Sequence, residues 1–307
     1  MPVLAAAWPT KTREIRNAIC DSTRWKWVKF RDDDIVVVTY GKTGTTWTQQ
    51  IVAQLVFRGQ DGLQVETSPW VDFRPIPLEL VLEMIEAQQH RRFLKTHLPL
   101  DALVFSPEAK YLYIGRDGKD MAWSMYNHHA GFTDQAYTMF NNVFGRVGDP
   151  LEPPKCDVVQ YFREWLNGGG MPLGVSFWDH VQGWWNAQHL PNVMLLHFNN
   201  LKADLPGEMR RIADFLGIEI DEARFPAMVE HCTFEYMQRS AQNVPLLDMV
   251  FQKGGNTFFN KGTNGRWKDL LTPADLEKYE EVMRTNLTPD CAHWLATGEI
   301  TPRTKRF

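Results

Sequence analysis

Residues 35–38 of this 307-residue chain read Ile-Val-Val-Val, an unbroken β-branched run that predicts a strand buried on both faces. The run leads into Thr39-Tyr40-Gly41-Lys42-Thr43-Gly44-Thr45-Thr46-Trp47. Trp47, Ile51 and Leu55, joined by Val52 and Val56, then recur at helical spacing until Gly59 stops the helix. Strand, glycine turn and helix in this order constrain the fold more than any other segment. Further strands are expected at 93–96, 111–115 and 193–198, and helices after Asp117 (through Trp123 and Tyr126), at 176–188, at Leu205–Leu216 and from Pro273, with Leu276, Tyr279 and Met283 inward. The alternation predicts an α/β fold in which a mostly parallel central sheet is flanked by helices, with ligands at the carboxyl ends of the strands. Gly168-Gly169-Gly170 would suit a hinge, but strands continue beyond it, so residues 1–307 are read as a single domain. Within it, 1–20 is expected to be an N-terminal extension and 297–307 a peripheral tail. Residues 240–267, rich in Gly, Asn and Lys, are expected to form a long functional or mobile loop.

Composition narrows the class. Apolar residues at 44% and charged residues at 23% describe a globular chain. A net charge of −4 argues against a nucleic-acid-coating protein, so an anionic ligand must be held by a local cationic cluster. The four cysteines (Cys20, Cys156, Cys232, Cys291) show no CxxC pair and no zinc spacing, as expected of free thiols in a reducing compartment. The first residues, MPVLAAAWPTK, lack the basic region of a signal peptide, and no stretch reaches the ~20 apolar residues of a membrane span. A cytoplasmic protein without membrane or nucleic-acid partners is expected.

Around Gly44 the backbone N–H groups open a helix, which makes an anion nest. A triphosphatase would carry GxxxxGK[ST], but the required glycine is Val36, so that motif fails. Three more segments suit the same ligand. Arg92-Phe93-Leu94-Lys95-Thr96-His97-Leu98-Pro99 sets Lys95 and His97 at a strand end. Tyr113-Ile114-Gly115-Arg116 is followed, two turns into the next helix, by Ser124. Asn260-Lys261-Gly262-Thr263-Asn264-Gly265-Arg266 is a second glycine-lysine loop.

Taken together, these four motifs resemble the cytosolic sulfotransferase family, in the family's order and over about 21–283. The resemblance implies a P-loop-like phosphosulfate-binding strand-loop-helix. It also implies transfer of a sulfuryl group from 3′-phosphoadenosine 5′-phosphosulfate to a hydroxyl of a small acceptor alcohol or phenol, with adenosine 3′,5′-bisphosphate as product and no metal. Lys42, Thr43, Gly44, Thr45 and Thr46 would hold the 5′-phosphosulfate, Trp47 would stack on the adenine, and Lys42 and Lys95 would neutralise developing charge. His97 would be the general base of an in-line displacement. Arg116 and Ser124 would bind the 3′-phosphate, and Phe258, Phe259, Asn260, Lys261 and Gly262 would close over it. Asn260 stands where the family commonly has Arg, Phe198 where a nucleotide-contacting Tyr is usual, and Cys232 where Thr is usual. These changes remove one charge and two hydroxyls, and two outcomes stay open: weaker cofactor affinity, or replacement by water and Arg266.

Composition alone suggests Trp25, Trp70, Phe73, Tyr126 and Phe132 as an apolar acceptor wall. His128-His129 reads as pocket wall or surface, since no third ligand stands at metal-binding spacing. Lys268, Thr272 and Glu277 partly match the family's dimer segment, with Pro273 replacing an apolar residue, so a homodimer stays open. Two rivals stay open as well: a small-molecule kinase, and a non-catalytic nucleotide-binding protein.

Overall fold

The computed structural model describes residues 8–64, 67–169 and 173–300. Strands β1 (Ile35–Thr39), β2 (Phe93–Thr96), β3 (Lys110–Gly115) and β4 (Val193–His197) form one sheet in the order β2-β1-β3-β4, each pair parallel. Helices α1 (Thr45–Val56) and α2 (Leu78–Glu86) join β1 to β2. Between β3 and β4 lie α3 (Gly118–Ala130), α4 (Asp134–Asn141), α5 (Val158–Leu166) and α6 (Phe177–Asn186). After β4 come α7 (Phe198–Ala203), α8 (Leu205–Leu216), α9 (Phe225–His231), α10 (Phe234–Ser240), α11 (Pro245–Val250), α12 (Gly255–Phe258), α13 (Pro273–Asn286) and α14 (Pro289–Thr297).

The continuous apolar runs of the strands follow from burial on both faces. Ile35, Val37, Phe93, Leu112, Ile114 and Leu196 pack on one side with Ile51 and Leu55 of α1 and Ile212 and Leu216 of α8. Their alternates Val36, Val38, Leu94, Tyr111, Tyr113 and Leu195 pack on the other with Met121 and Met125 of α3, Phe162 of α5 and Trp184 of α6. Side chains alternate along a strand, so one run serves both layers. At the entry edge, Arg92 Nε donates to Asp34 Oδ1 at 2.8 Å, with both side chains 1% exposed. This pins the starts of β1 and β2, and removing Arg92, which also pairs with Glu86 at 3.0 Å, would strand the buried Asp34 carboxylate at a cost of about 3–5 kcal/mol.

The expected helices are present with local reasons for their ends. Asp117 caps α3 by accepting from Lys119 N–H, and Ser176 caps α6. Thr272 and Asp275 form a capping box at α13, where Tyr279 is buried and Leu276 and Met283 pack against the core. Two expectations are corrected. The last strand ends at His197, and Phe198 opens α7, where the His197 side chain accepts from Asn199 N–H. Residues 240–267 are not one long loop: they include a 3-10 turn at Ala241–Asn243 and helices α11 and α12. Their buried Leu247, Val250 and Phe251 join Phe132 and Phe140 in a satellite core. Helices this short hold too few turns for periodicity to show.

Thr12 and Arg13 N–H donate to Asp101 O at 2.8 and 3.2 Å, and Ile19 and Cys20 are buried, so 12–20 is packed on the domain. Gly169 N–H closes α5 on Glu164 O at 2.7 Å, whereas Gly170 and 301–307 fall outside the described residues. No helix among the described residues is long and apolar enough to cross a membrane. β1 has β2 on one side and β3 on the other, so successive connections diverge and a crevice opens at the carboxyl ends of β1 and β3.

Candidate active site

That crevice is a cavity of about 750 Å³. The turn after β1 forms one wall. Gly44 has φ +129°, and a Cβ there would lie 2.7 Å from Ile114 Cδ1, so only glycine lets the turn seat against β3. Gly44, Thr45, Thr46 and Trp47 line the cavity at the start of α1. Thr43 is different: its hydroxyl sits 2.9 Å from Tyr40 O and 3.0 Å from Ile114 O, and the residue is buried. Its side chain secures the turn and is turned away from the cavity lining. Trp47 Nε1 donates to Cys232 O at 2.8 Å, and Phe198 meets the indole edge-on at 5.2 Å. Cys232 therefore contributes a carbonyl, while its thiol is fully buried outside the cavity lining.

Cations converge from three strand ends. Lys42 takes φ +68°, and its Nζ lies 3.1 Å from His128 Nδ1 and 4.9 Å from the centre of the Phe258 ring. Burial, then Arg116 and Lys95, push Lys42 down to about 7. Lys95 Nζ stands 5.0 Å over Trp70 and is pushed down to about 8 by burial, against the pull of Asp72. Arg116 is 7% exposed, with its guanidinium 4.1 Å over Phe198. Its nitrogens donate to Asn264 Oδ1 at 3.1 and 2.7 Å and to Lys42 O at 3.1 Å, all neutral acceptors. Asp117 pairs with Lys119, and Asp120 accepts from Gly265 N–H at 2.7 Å. Arg116 thus makes its hydrogen bonds to neutral acceptors, while the nearby Asp120 and Asp117 act on its charge only through space. Ser124 lines the same cavity from α3.

His97 lies at the end of β2, 7% exposed. Its Nδ1 is 2.8 Å from Thr39 O and 2.9 Å from Thr39 Oγ1, which in turn meets Thr45 Oγ1 at 2.6 Å. A carbonyl only accepts, so Nδ1 carries the proton and Nε2 keeps a lone pair. Burial first, then Lys95, push the imidazole down to about 3, so it is neutral.

The late loop closes the far side. Phe258, Phe259, Asn260, Lys261 and Gly262 all line the cavity. Gln238 Nε2 donates to Phe259 O at 2.8 Å and Lys202 Nζ to Gly262 O at 3.0 Å. Arg266 Nη1 donates to Asn260 Oδ1 at 3.1 Å, which places a guanidinium beside the residue that lacks one. Of the suggested acceptor wall, Trp70, Phe73 and Phe132 line the cavity, whereas Trp25 and Tyr126 do not. Trp25 is fully buried, with Nε1 donating to Asp72 Oδ1 at 3.1 Å, and Tyr126 packs edge-on against Tyr161 at 5.5 Å. Both are apolar enough for a wall, but they point into the core. Sequence reasoning left Phe140 and Phe251 out of the wall and did not single out Asn264 as the partner of Arg116. It also gave His128 no chemical part, although His128 follows Ser124 by one helical turn and so shares its face.

The family model described as the sulfotransferase domain matches residues 32–290. The chain is similar to the glycolipid sulfotransferase of Mycobacterium tuberculosis, 32% identical and covering 92% of this chain and 94% of that one. Human sulfotransferase 1C2 is 28% identical over 84% of each. Among solved structures, mouse sulfotransferase SULT7A1 complexed with PAP superposes with a TM-score of 0.70 at 22% identity, covering 89% of this chain and 92% of that one. Retinol dehydratase in complex with androsterone and inactive cofactor PAP gives 0.68 at 21% identity, covering 92% and 86%. The chain belongs to the sulfotransferase family, and its reaction is sulfuryl transfer from 3′-phosphoadenosine 5′-phosphosulfate.

Proposed function

We propose that His97 is the general base of this transfer and that the acceptor is an alcohol or phenol with a bulky apolar body. The observation that carries the reading is the tautomer of His97, a neutral ring whose Nδ1–H is tied to Thr39 O and whose Nε2 is free to accept. The residues present fit the nucleotide. The glycine turn would hold its 5′ end, Trp47 its base, and the guanidinium of Arg116, hydrogen-bonded only to neutral acceptors, with Ser124 its 3′-phosphate. Bound there, the nucleotide supplies the sulfuryl group and departs as the bisphosphate. Lys42 and Lys95 offset the charge that builds on the departing oxygens, the effect that contributes most in such transfers. His97 takes the acceptor's proton as its oxygen attacks.

The apolar acceptor follows from the rest of the lining. Trp70 stacks on Phe73 at 4.4 Å, and Phe73 meets Phe140 at 6.2 Å. Met84 and Leu246, 42% and 49% exposed, line the same cavity and form an apolar mouth. An amphiphile could pass its tail out there, in keeping with the glycolipid activity named for the mycobacterial relative. The test is transfer of radiolabelled sulfuryl to a panel of apolar and polar alcohols. His97→Ala should lose on the order of 10²–10⁴ in kcat and still bind the bisphosphate. Wild-type turnover by that variant would refute the base. Preferential sulfation of polar, tail-free alcohols would refute the acceptor class.

A further inference from the structure

His128 and Ser124 lie one turn apart on α3, and both line the cavity. The Nδ1 of His128 is 3.1 Å from Lys42 Nζ. An ammonium has donors and no lone pair, so when Lys42 is charged this nitrogen accepts and the ring proton sits on Nε2. His97 is the opposite case, with its proton on Nδ1 by virtue of Thr39 O at 2.8 Å. The cavity thus contains two histidines in complementary tautomers. Phe132 and Phe251, at 5.0 and 4.9 Å, set the plane of the His128 ring. Phe258 lies 6.0 Å from that ring and offers its face to the Lys42 ammonium at 4.9 Å.

We propose that His128 is a positioning residue for Lys42, its Nδ1 and the face of Phe258 together fixing where the ammonium stands before the donor arrives. A lysine left alone in this pocket would lose rotamer entropy on meeting the donor. Held from both sides, it is already ordered, and the ordering cost falls on folding instead of on each turnover. The inference rests on the reading of Lys42 as the cation of the donor site.

His128 also bears on the charge of Lys42. The groups facing Lys42 are His128 from α3, Arg116 from the end of β3 and Lys95 from β2, with His97 beyond β2. Two of these are cations that disfavour the ammonium, and the neutral acceptor nitrogen of His128 opposes them. Removing it lowers the pH at which Lys42 loses its proton.

Two experiments test this. Nitrogen-15 spectra of the free protein below pH 7, where Lys42 is charged, with histidine labelled, should show Nε2–H for His128 and Nδ1–H for His97; an Nδ1–H tautomer at His128 there would overturn the proposal. This arm needs no donor and no turnover. In the second, His128→Phe and His128→Gln are compared, with circular dichroism and thermal unfolding as the check on folding. Phenylalanine should lower kcat about tenfold, a lost hydrogen bond to a charged group. It should also move the basic limb of kcat/KM for the donor to lower pH, while glutamine, whose amide oxygen can accept, restores both. Equal behaviour of the two variants, or an unmoved limb in His128→Phe, would overturn the proposal. A Lys42→Ala variant that transfers normally would overturn the donor-site reading itself. Normal transfer by His128→Phe beside an inactive Lys42→Ala would overturn this proposal alone.

Discussion

Loss of water drives His97 and Lys42 in the same direction, with opposite consequences. Burial neutralises His97, pushed down to about 3, and a neutral imidazole is what a base requires. Burial also takes Lys42 down to about 7 and Lys95 to about 8, which drains the charge that donor binding requires. A lysine acts as a cation below its pKa and loses that charge as pH rises through it. In the free enzyme, kcat/KM for the donor should therefore fall with rising pH from about 7 to 8. An anion in the site favours the ammonium, so in kcat measured at saturating donor the same limb should lie at higher pH. His97 should contribute no acid limb in the ordinary histidine range, because it is already neutral there. Parallel pH profiles of kcat and kcat/KM check this. Coincident basic limbs, or an acid limb near the ordinary histidine value, would contradict the states assigned to Lys42 and His97.

At the scale of elements, the site is a turn, two strand ends and a late loop brought to one edge of a sheet. The late loop depends on Gly262, at φ +62°, where a Cβ would lie 2.5 Å from the ring of Phe234. Gly262→Ala adds left-handed strain and a clash of about 1–3 kcal/mol, so affinity for the bisphosphate should fall about tenfold or more. Hydrogen exchange over 258–264 should slow when the bisphosphate binds the native protein and remain fast in the variant. Equal exchange with and without ligand would remove the loop from the nucleotide site. How much of this could be read beforehand depended on the kind of constraint. Ile35 to Val38 advertised β1 because burial on two faces leaves no polar residue, and Gly44 with Trp47 advertised the turn and α1. The direction of a side chain was harder. Thr43 and Thr46 are chemically alike, yet Thr43 turns back to Tyr40 O and Ile114 O while Thr46 lines the cavity. Trp25 and Trp70 are equally apolar, and both donate to Asp72, but only Trp70 lines the cavity. Helices α11 and α12 were missed because six and four residues are too few to display a period.

For the whole molecule, the consequence of the proposed site is that one small ligand would span segments far apart in sequence. The turn of β1, Arg116 after β3 and the loop at 258–262 come together only in the folded chain. Binding is therefore coupled to global stability, although the net charge of −4 gives no overall attraction for an anion. Lys42 O and Asn264 hold Arg116, and Asn264 Nδ2 donates to Asn199 Oδ1 at 2.7 Å, so the proposed phosphate subsite is tied to the turn after β1, to α7 and to the late loop at once. A ligand that binds only the native state, present at 100 times its Kd, adds about 2.7 kcal/mol. In a chain of this size that is a rise in Tm of a few degrees. Adenosine 3′,5′-bisphosphate should produce it, and adenosine 5′-monophosphate at the same concentration should produce much less, because the difference between them is the 3′-phosphate proposed for Arg116. Arg116→Ala should abolish that difference while leaving the response to the monophosphate nearly unchanged. If the two ligands stabilise the native protein equally, the buried guanidinium serves only the fold. If the two differ and the difference survives in Arg116→Ala, the 3′-phosphate is held elsewhere, and Lys261 and Arg266 on the late loop become the groups to replace next.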